Sequence, residues 1–165
     1  GLVGSEMCIR DSSPVELARR SVSGFLNDGL ENKYALTLRA GTGTEGLVVD
    51  GDAALLERML QNLIQNSILH NPDGCEIFVS VEAREHACVL RVEDTGIGIS
   101  ALLLTSLNSG GSGSLPGGGA GELPHGLGLR LVKKIVRAHG GTVQWKNREP
   151  HGLTAVAEFP ANIGL

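Results

Sequence analysis

Val92-Glu93-Asp94-Thr95-Gly96-Ile97-Gly98-Ile99 decides how this chain of 165 residues is read. Apolar residues alternating over 88–93 predict a strand, and at Asp94 that strand gives way to a glycine loop. Gly96 and Gly98 permit positive φ and let a flat ring come close to the backbone. A carboxylate at the junction can accept a hydrogen bond from the exocyclic amine of adenine. An aspartate there can equally bond the backbone of its own turn. A dinucleotide fingerprint fits poorly, because it needs G-x-G-x-x-G opening a helix and here Ile99, Ser100 and Ala101 follow Gly98.

Upstream lies Asn62-Leu63-Ile64-Gln65-Asn66, inside a helix predicted from the cap Asp52 to about Leu69. Leu56, Met59, Leu60 and Leu63 form its apolar face. Asn62 and Asn66 are four apart and share one stripe beside that face. They can be a pair of helix-surface amides. Their oxygens can also ligate Mg²⁺, a hard cation that prefers oxygen and shares its shell with phosphates. Downstream, Gly126-Leu127-Gly128-Leu129 opens a helix predicted over about 127–138 and ended by His139-Gly140-Gly141. A helix start offers unpaired N–H groups and positive partial charge to an anion. The same glycines can merely begin a helix that packs through Leu127, Leu131 and Ile135. The Gly/Ser/Pro-rich stretch 110–121 just before it favours a loop that closes over phosphates.

Ser13-Pro14-Val15-Glu16 is a capping box with proline at the first helical position, and Gly29 can end the helix it starts. Val15, Ala18, Val22 and Phe25 or Leu26 give that helix its apolar spacing. Short strands are predicted at 34–40 and 47–49 around the glycine turn 41–46, then at 76–82, 142–146 and 154–159. Asn71-Pro72-Asp73-Gly74 terminates the asparagine-bearing helix. His86 falls in the connection between two strands, and Ala101-Leu102-Leu103-Leu104 can form one helical turn. Residues 1–12 show no helix or strand period. Their string GLVGSEMCIRDS resembles sequence translated from adapter DNA, so a non-native tail is expected there.

A hydrophobic fraction of 41% with 19% charged residues describes one globular domain at this length. A net charge of -4 without a dense Lys/Arg stripe argues against nucleic-acid binding. Three cysteines with no C-x-x-C imply neither a disulfide framework nor a zinc site, which suits a cytoplasmic setting. No apolar run reaches the length of a membrane span, so direct membrane contact is not expected.

Together the blocks resemble the catalytic, ATP-binding (HATPase_c) domain of bacterial two-component sensor histidine kinases, in the GHKL superfamily, over about 13–160. Residues 52–74 resemble the family's N-box and 92–99 its G1 box. Residues 125–129 with 132–141 resemble its G2 region, and Glu158-Phe159-Pro160 its closing strand. The resemblance implies a two-layer α/β sandwich, the Bergerat fold, with a mixed sheet of about five strands and three helices on one face. The domain would occupy 13–165, with 100–125 as a flexible ATP lid. Asn66 would bind Mg²⁺, and Asn62 would support the metal or a bridging water. Asp94 would recognise adenine; Gly96, Gly98 and Ile99 would shape its pocket. His125, Gly126, Leu127, Gly128 and Leu129 would form the phosphate side.

Hydrolysing members, such as the Hsp90, gyrase and MutL groups, carry Glu four residues before the metal-binding Asn. That position here is Asn62, whose amide cannot act as general base. The resemblance therefore implies a kinase that donates the ATP γ-phosphate to a histidine. Its implied partners are a histidine-containing dimerisation domain, lying upstream in a homodimeric parent, and a response regulator. That parent could be membrane-anchored. The alternatives are a non-catalytic nucleotide-binding regulator and an anti-sigma-factor-type serine kinase. Three departures stand out. Leu69 replaces a phosphate-facing Lys or Arg, with His70 expected to point elsewhere on the helix. The aromatic F-box after Ser100 is missing. None of His70, His86, His125, His139 and His151 begins an H-[DE]-x-x-[TN]-P acceptor motif.

Overall fold

The two long helices start where their caps dictate. Ser13 Oγ accepts from Glu16 N at 3.2 Å, with Pro14 in the first turn, and Asp52 Oδ1 accepts from Ala54 N and Leu55 N at 2.9 and 3.2 Å. The expected capping box is half made, because the Glu16 carboxylate pairs with Arg19 instead of reaching back. The computed structural model describes residues 10–109 and 126–163. In chain order its elements are β1 (Arg10–Ser12), α1 (Pro14–Asn27), β2 (Tyr34–Ala40), β3 (Leu47–Gly51), α2 (Ala53–His70) and β4 (Cys75–Arg84). There follow β5 (Ala87–Asp94), α3 (Ala101–Asn108), α4 (Gly126–Ala138), β6 (Thr142–Asn147), β7 (Leu153–Pro160) and β8 (Asn162–Ile163).

Five strands form the main sheet in the order β2-β4-β5-β7-β6. β2 runs parallel to β4, and the other neighbours are antiparallel. The expected mixed sheet and two-layer α/β architecture are therefore present. Period-2 alternation sends Ile77, Val79 and Val81 of β4, and Cys88, Leu90 and Val92 of β5, into one core with Leu56, Leu60 and Leu63 of α2 and Val132, Ile135 and Val136 of α4. Asp94 is the next residue of the inward set on β5, and it is 2% exposed. The strand pattern that builds the core thus also aims this carboxylate at the helical layer. On the opposite face, Arg39 stacks over Phe78 with its guanidinium carbon 4.1 Å from the ring centroid. Arg148, ion-paired to Glu93 at 2.8 Å, flanks the same ring.

Three features differ from the sequence expectation. The described residues hold four helices, not three on one face. The turn at Ala101 continues to Asn108 because Ser100 caps it, Leu103 and Leu107 bury at helical spacing, and Asn108 bonds both backbone groups of Trp145. β3 leaves the main sheet for a three-stranded one, β1-β3-β8, where it has a partner on each side. Finally, the expected tail 1–12 overlaps the fold at its end: Arg10–Ser12 pairs antiparallel with β3, and Ser12 is buried. Among the described residues no helix is long and apolar enough to cross a membrane.

His139, in the His-Gly-Gly ending of α4, ties the helical layer together. Nδ1 donates to Ile135 O at 2.7 Å, leaving Nε2 to accept from Asp52 N at 3.0 Å. Gly51 is required beside it, since a Cβ there would collide with the imidazole. His139→Ala is expected to lower stability by about 1–3 kcal/mol through the unpaired Asp52 N–H and the lost packing. Urea unfolding of the variant and the parent chain measures this directly.

Candidate functional site

The loop after β5 is held from three sides. Asp94 Oδ1 accepts from Gly96 N at 2.9 Å and from Leu153 N at 3.2 Å. Asp94 thus fixes its own turn, as the simpler sequence reading allowed, while Oδ2 keeps no protein donor among the described residues. Asn71, buried below the loop, accepts from Ile97 N at 3.0 Å and donates to Ser67 O at 2.8 Å. Asn147 accepts from Ile99 N at 3.0 Å and donates to Ile99 O at 2.9 Å. The glycines permit these clamps. A Cβ on Gly96 would overlap the Asn71 amide, and Gly98, at φ +71°, would bring one 2.8 Å from Asn147 Oδ1.

Asn62 and Asn66 project from α2 toward the start of α4. Asn62 Nδ2 donates to Gly128 O at 3.4 Å. A Cβ built on Gly128 would lie 3.8 to 3.9 Å from both amides, so the two blocks meet there. Asn66 Nδ2 is buried and bonds nothing among the described residues, an arrangement that normally calls for a ligand or water. Leu129 is 5% exposed and lines the cleft beside Asn66. Gly126 and Leu127 begin α4, but the Leu127 side chain, His125 and the 110–125 part of the expected lid lie outside the described residues.

His70 corrects the sequence reading. It does not point elsewhere: it lies four residues beyond Asn66, on the same stripe, and lines the same cleft. Its Nε2 faces Gly98 O at 2.9 Å and must carry the proton to bond a carbonyl. Leu69 is the residue that points away, at 46% exposure.

The cleft between these groups has apolar walls from Leu63, Val92, Ile99, Leu107 and Leu129, with Asn66, His70 and Asp94 as polar points. It encloses about 30 Å³, room for about two or three waters at about 10–15 Å³ each. A purine enters only if the wall carrying Leu107 and Leu129 gives. Asp94 is the sole carboxylate on this cleft among the described residues, and neither Lys nor Arg lines it. No group of His, Cys, Asp and Glu that could hold a metal occurs among them either.

Asn71, Asn147 and His70 each do more here than the sequence assigns them. The i, i+4, i+8 spacing of Asn62, Asn66 and His70 was a usable signal for the last. Asn71 read only as a helix terminator, and nothing local marks Asn147. Asn71→Ala is expected to cost about 3 kcal/mol, because it strands the Ile97 N–H and empties a buried site. Chemical unfolding checks the loss, and faster amide exchange at Ile97 checks its location.

Residues 51–163 match the model of the histidine kinase-, DNA gyrase B-, and HSP90-like ATPase family. The chain belongs to this family. ATP is accordingly its nucleotide. Within the family the chain is a catalytic domain of the sensor histidine kinase type. The sensor protein CutS of Streptomyces coelicolor is 31% identical over 96% of this chain and 38% of its own length. The probable sensor histidine kinase TcrY of Mycobacterium tuberculosis is 30% identical over 81% of this chain and 28% of its own. The chain thus spans about a third of these relatives. The catalytic domain of histidine kinase ThkA shares the fold, with TM-score 0.74, 24% identity, and coverage of 92% of this chain and 95% of that one. ThkA has also been solved in complex with the response regulator protein TrrA.

Proposed function

We propose that the domain holds ATP in this cleft and donates its γ-phosphate to a histidine on a separate dimerisation domain, in two-component signalling. The observation that carries the reading is the chemistry of the cleft. Its one carboxylate among the described residues, Asp94, is tied to two backbone N–H groups, while amides and a helix start occupy the other end. Among the described residues no carboxylate besides Asp94 lines the cleft to activate water, and an imidazole acceptor needs no such base. In the transfer, the bond from the γ-phosphorus to the bridging oxygen breaks, a phosphorus–nitrogen bond forms, and ADP leaves. Positioning and charge stabilisation supply most of the rate.

Asp94 would accept from the adenine amine, with Gly96, Gly98 and Ile99 shaping the ring's pocket. Asn66 would hold Mg²⁺ through its amide oxygen, supported by Asn62 directly or through water, while its unpartnered Nδ2 is a donor that suits an acceptor such as a phosphate oxygen. The ion would neutralise charge on the phosphates. His125 and Gly126 to Leu129 would meet the phosphates at the helix start. The acceptor domain, a response regulator and a homodimeric, cytoplasmic or membrane-anchored parent complete the proposal.

Incubation with [γ-³²P]ATP and a matched histidine domain tests it. Acid-labile label on that domain, with no ADP formed in its absence, is the expected result. Turnover without acceptor, or label on serine, would overturn it. A second reading, a nucleotide-binding regulator without transfer, draws on the exposed Leu69 and the lack of Lys or Arg on the described cleft. Tight ATP binding with no transfer to any matched domain would favour it.

A further inference from the structure

Between α1 and α2 lies a hollow of about 330 Å³, distinct from the nucleotide cleft; Asn62 lines it and donates to Gly128 O at the start of α4. Ser21 forms its floor, fully buried, with a hydroxyl that has no hydrogen-bond partner among the described residues. Buried hydroxyls are normally satisfied. On α1, Gly24 leaves a gap: a Cβ built there meets no atom within 4 Å, and its φ is not positive. Glycine in a helix interior weakens the helix relative to alanine, and no packing among the described residues requires it here.

The walls select a cation. Asp28 caps the C-terminal end of α1, whose last turn carries no basic residue. The negative end of the helix dipole therefore adds to its carboxylate. Asp28 makes no ion pair among the described residues. Phe25 supplies an aromatic ring that can stack on a flat cation, and Gln61, Asn62 and Gln65 supply amide oxygens. Several acceptors around one ring suit the planar, five-donor guanidinium better than a lysine ammonium.

We propose that this hollow seats an arginine side chain presented by a protein partner. The source is a protein and not the free amino acid, because no Lys or Arg lines the hollow to receive an α-carboxylate, which Asp28 would repel. An arginine bound there touches Asn62, whose amide donates to Gly128 at the start of α4. The seat thus reaches the phosphate end of the nucleotide cleft through one side chain.

Side-chain amide NMR of the full chain tests this with N-acetyl-arginine-N-methylamide as the probe. Saturable shifts at Gln61 and Gln65 are expected, with Kd on the order of 1–10 mM. The neutral citrulline analogue should bind at least about tenfold more weakly, since it lacks the charge. Gly24→Leu, which fills the hollow, and Asp28→Asn, at an exposed position, should each weaken arginine binding about tenfold with the backbone spectrum retained. Non-saturable shifts, equal binding of citrulline, or full binding by both variants would overturn the seat. Tighter binding of free arginine than of the blocked form would overturn the protein source.

Discussion

Asn66→Asp is expected to leave the domain folded and to lower γ-phosphate transfer by about 10²–10³-fold. The two side chains have the same shape, so the buried amide's packing between α2 and Gly128 survives. The charge does not. A carboxylate there would stand against the polyphosphate, and two like unit charges about 4 Å apart repel by about 4 kcal/mol at an effective dielectric of about 20. That is roughly three decades in rate or affinity, part of which a bound cation would return. The measurement is label transfer from [γ-³²P]ATP to a matched histidine domain, with circular dichroism confirming the fold. A variant that transfers at the parent rate would remove Asn66 from the phosphate site.

Asp94→Asn should abolish adenine recognition with little loss of stability. An asparagine can keep its Oδ1 on Gly96 N and Leu153 N, the two bonds that hold the turn. Its other atom becomes an NH₂, so the adenine amine would meet a donor where Oδ2 now offers an acceptor. Losing a charge-assisted hydrogen bond and leaving two donors opposed costs about 3 kcal/mol, about 100-fold or more in ATP affinity by calorimetry. Unfolding in urea should shift little. A variant that lost its fold instead would show that Asp94 serves chiefly the turn.

The fold was legible because three local signals agreed: caps at Ser13 and Asp52, period-2 runs on β4, β5 and β7, and glycine breaks between them. Where the sequence reading failed, the cause was tertiary. Leu107 and Asn108 extend α3 only because a core and the backbone of Trp145 await them. Likewise β3 takes its place from β1 and β8, which have no periodic signature of their own. Asn66 and Asp94 in the cleft, and Asn62 and Gly128 beside it, are legible from spacing, since helix and strand periods fix which face each occupies. Asn71 and Asn147 are not, because each reaches a loop 26 or 48 residues away through side-chain bonds. His70 is the simpler case: it stands at i+4 from Asn66 on one stripe of α2, so the helical period alone puts it in the cleft.

Whether Asp94 reads the adenine of ATP is tested directly by one comparison. Isothermal titration of the chain with ATP and with ITP, each with Mg²⁺, changes one edge of the purine: inosine carries a carbonyl where adenine carries the amine, and an N–H at N1 where adenine carries an acceptor. ATP should bind, and ITP should bind about 100-fold more weakly, because its oxygen would face a carboxylate oxygen. Equal affinity for the two nucleotides, or no binding of ATP, would contradict the account.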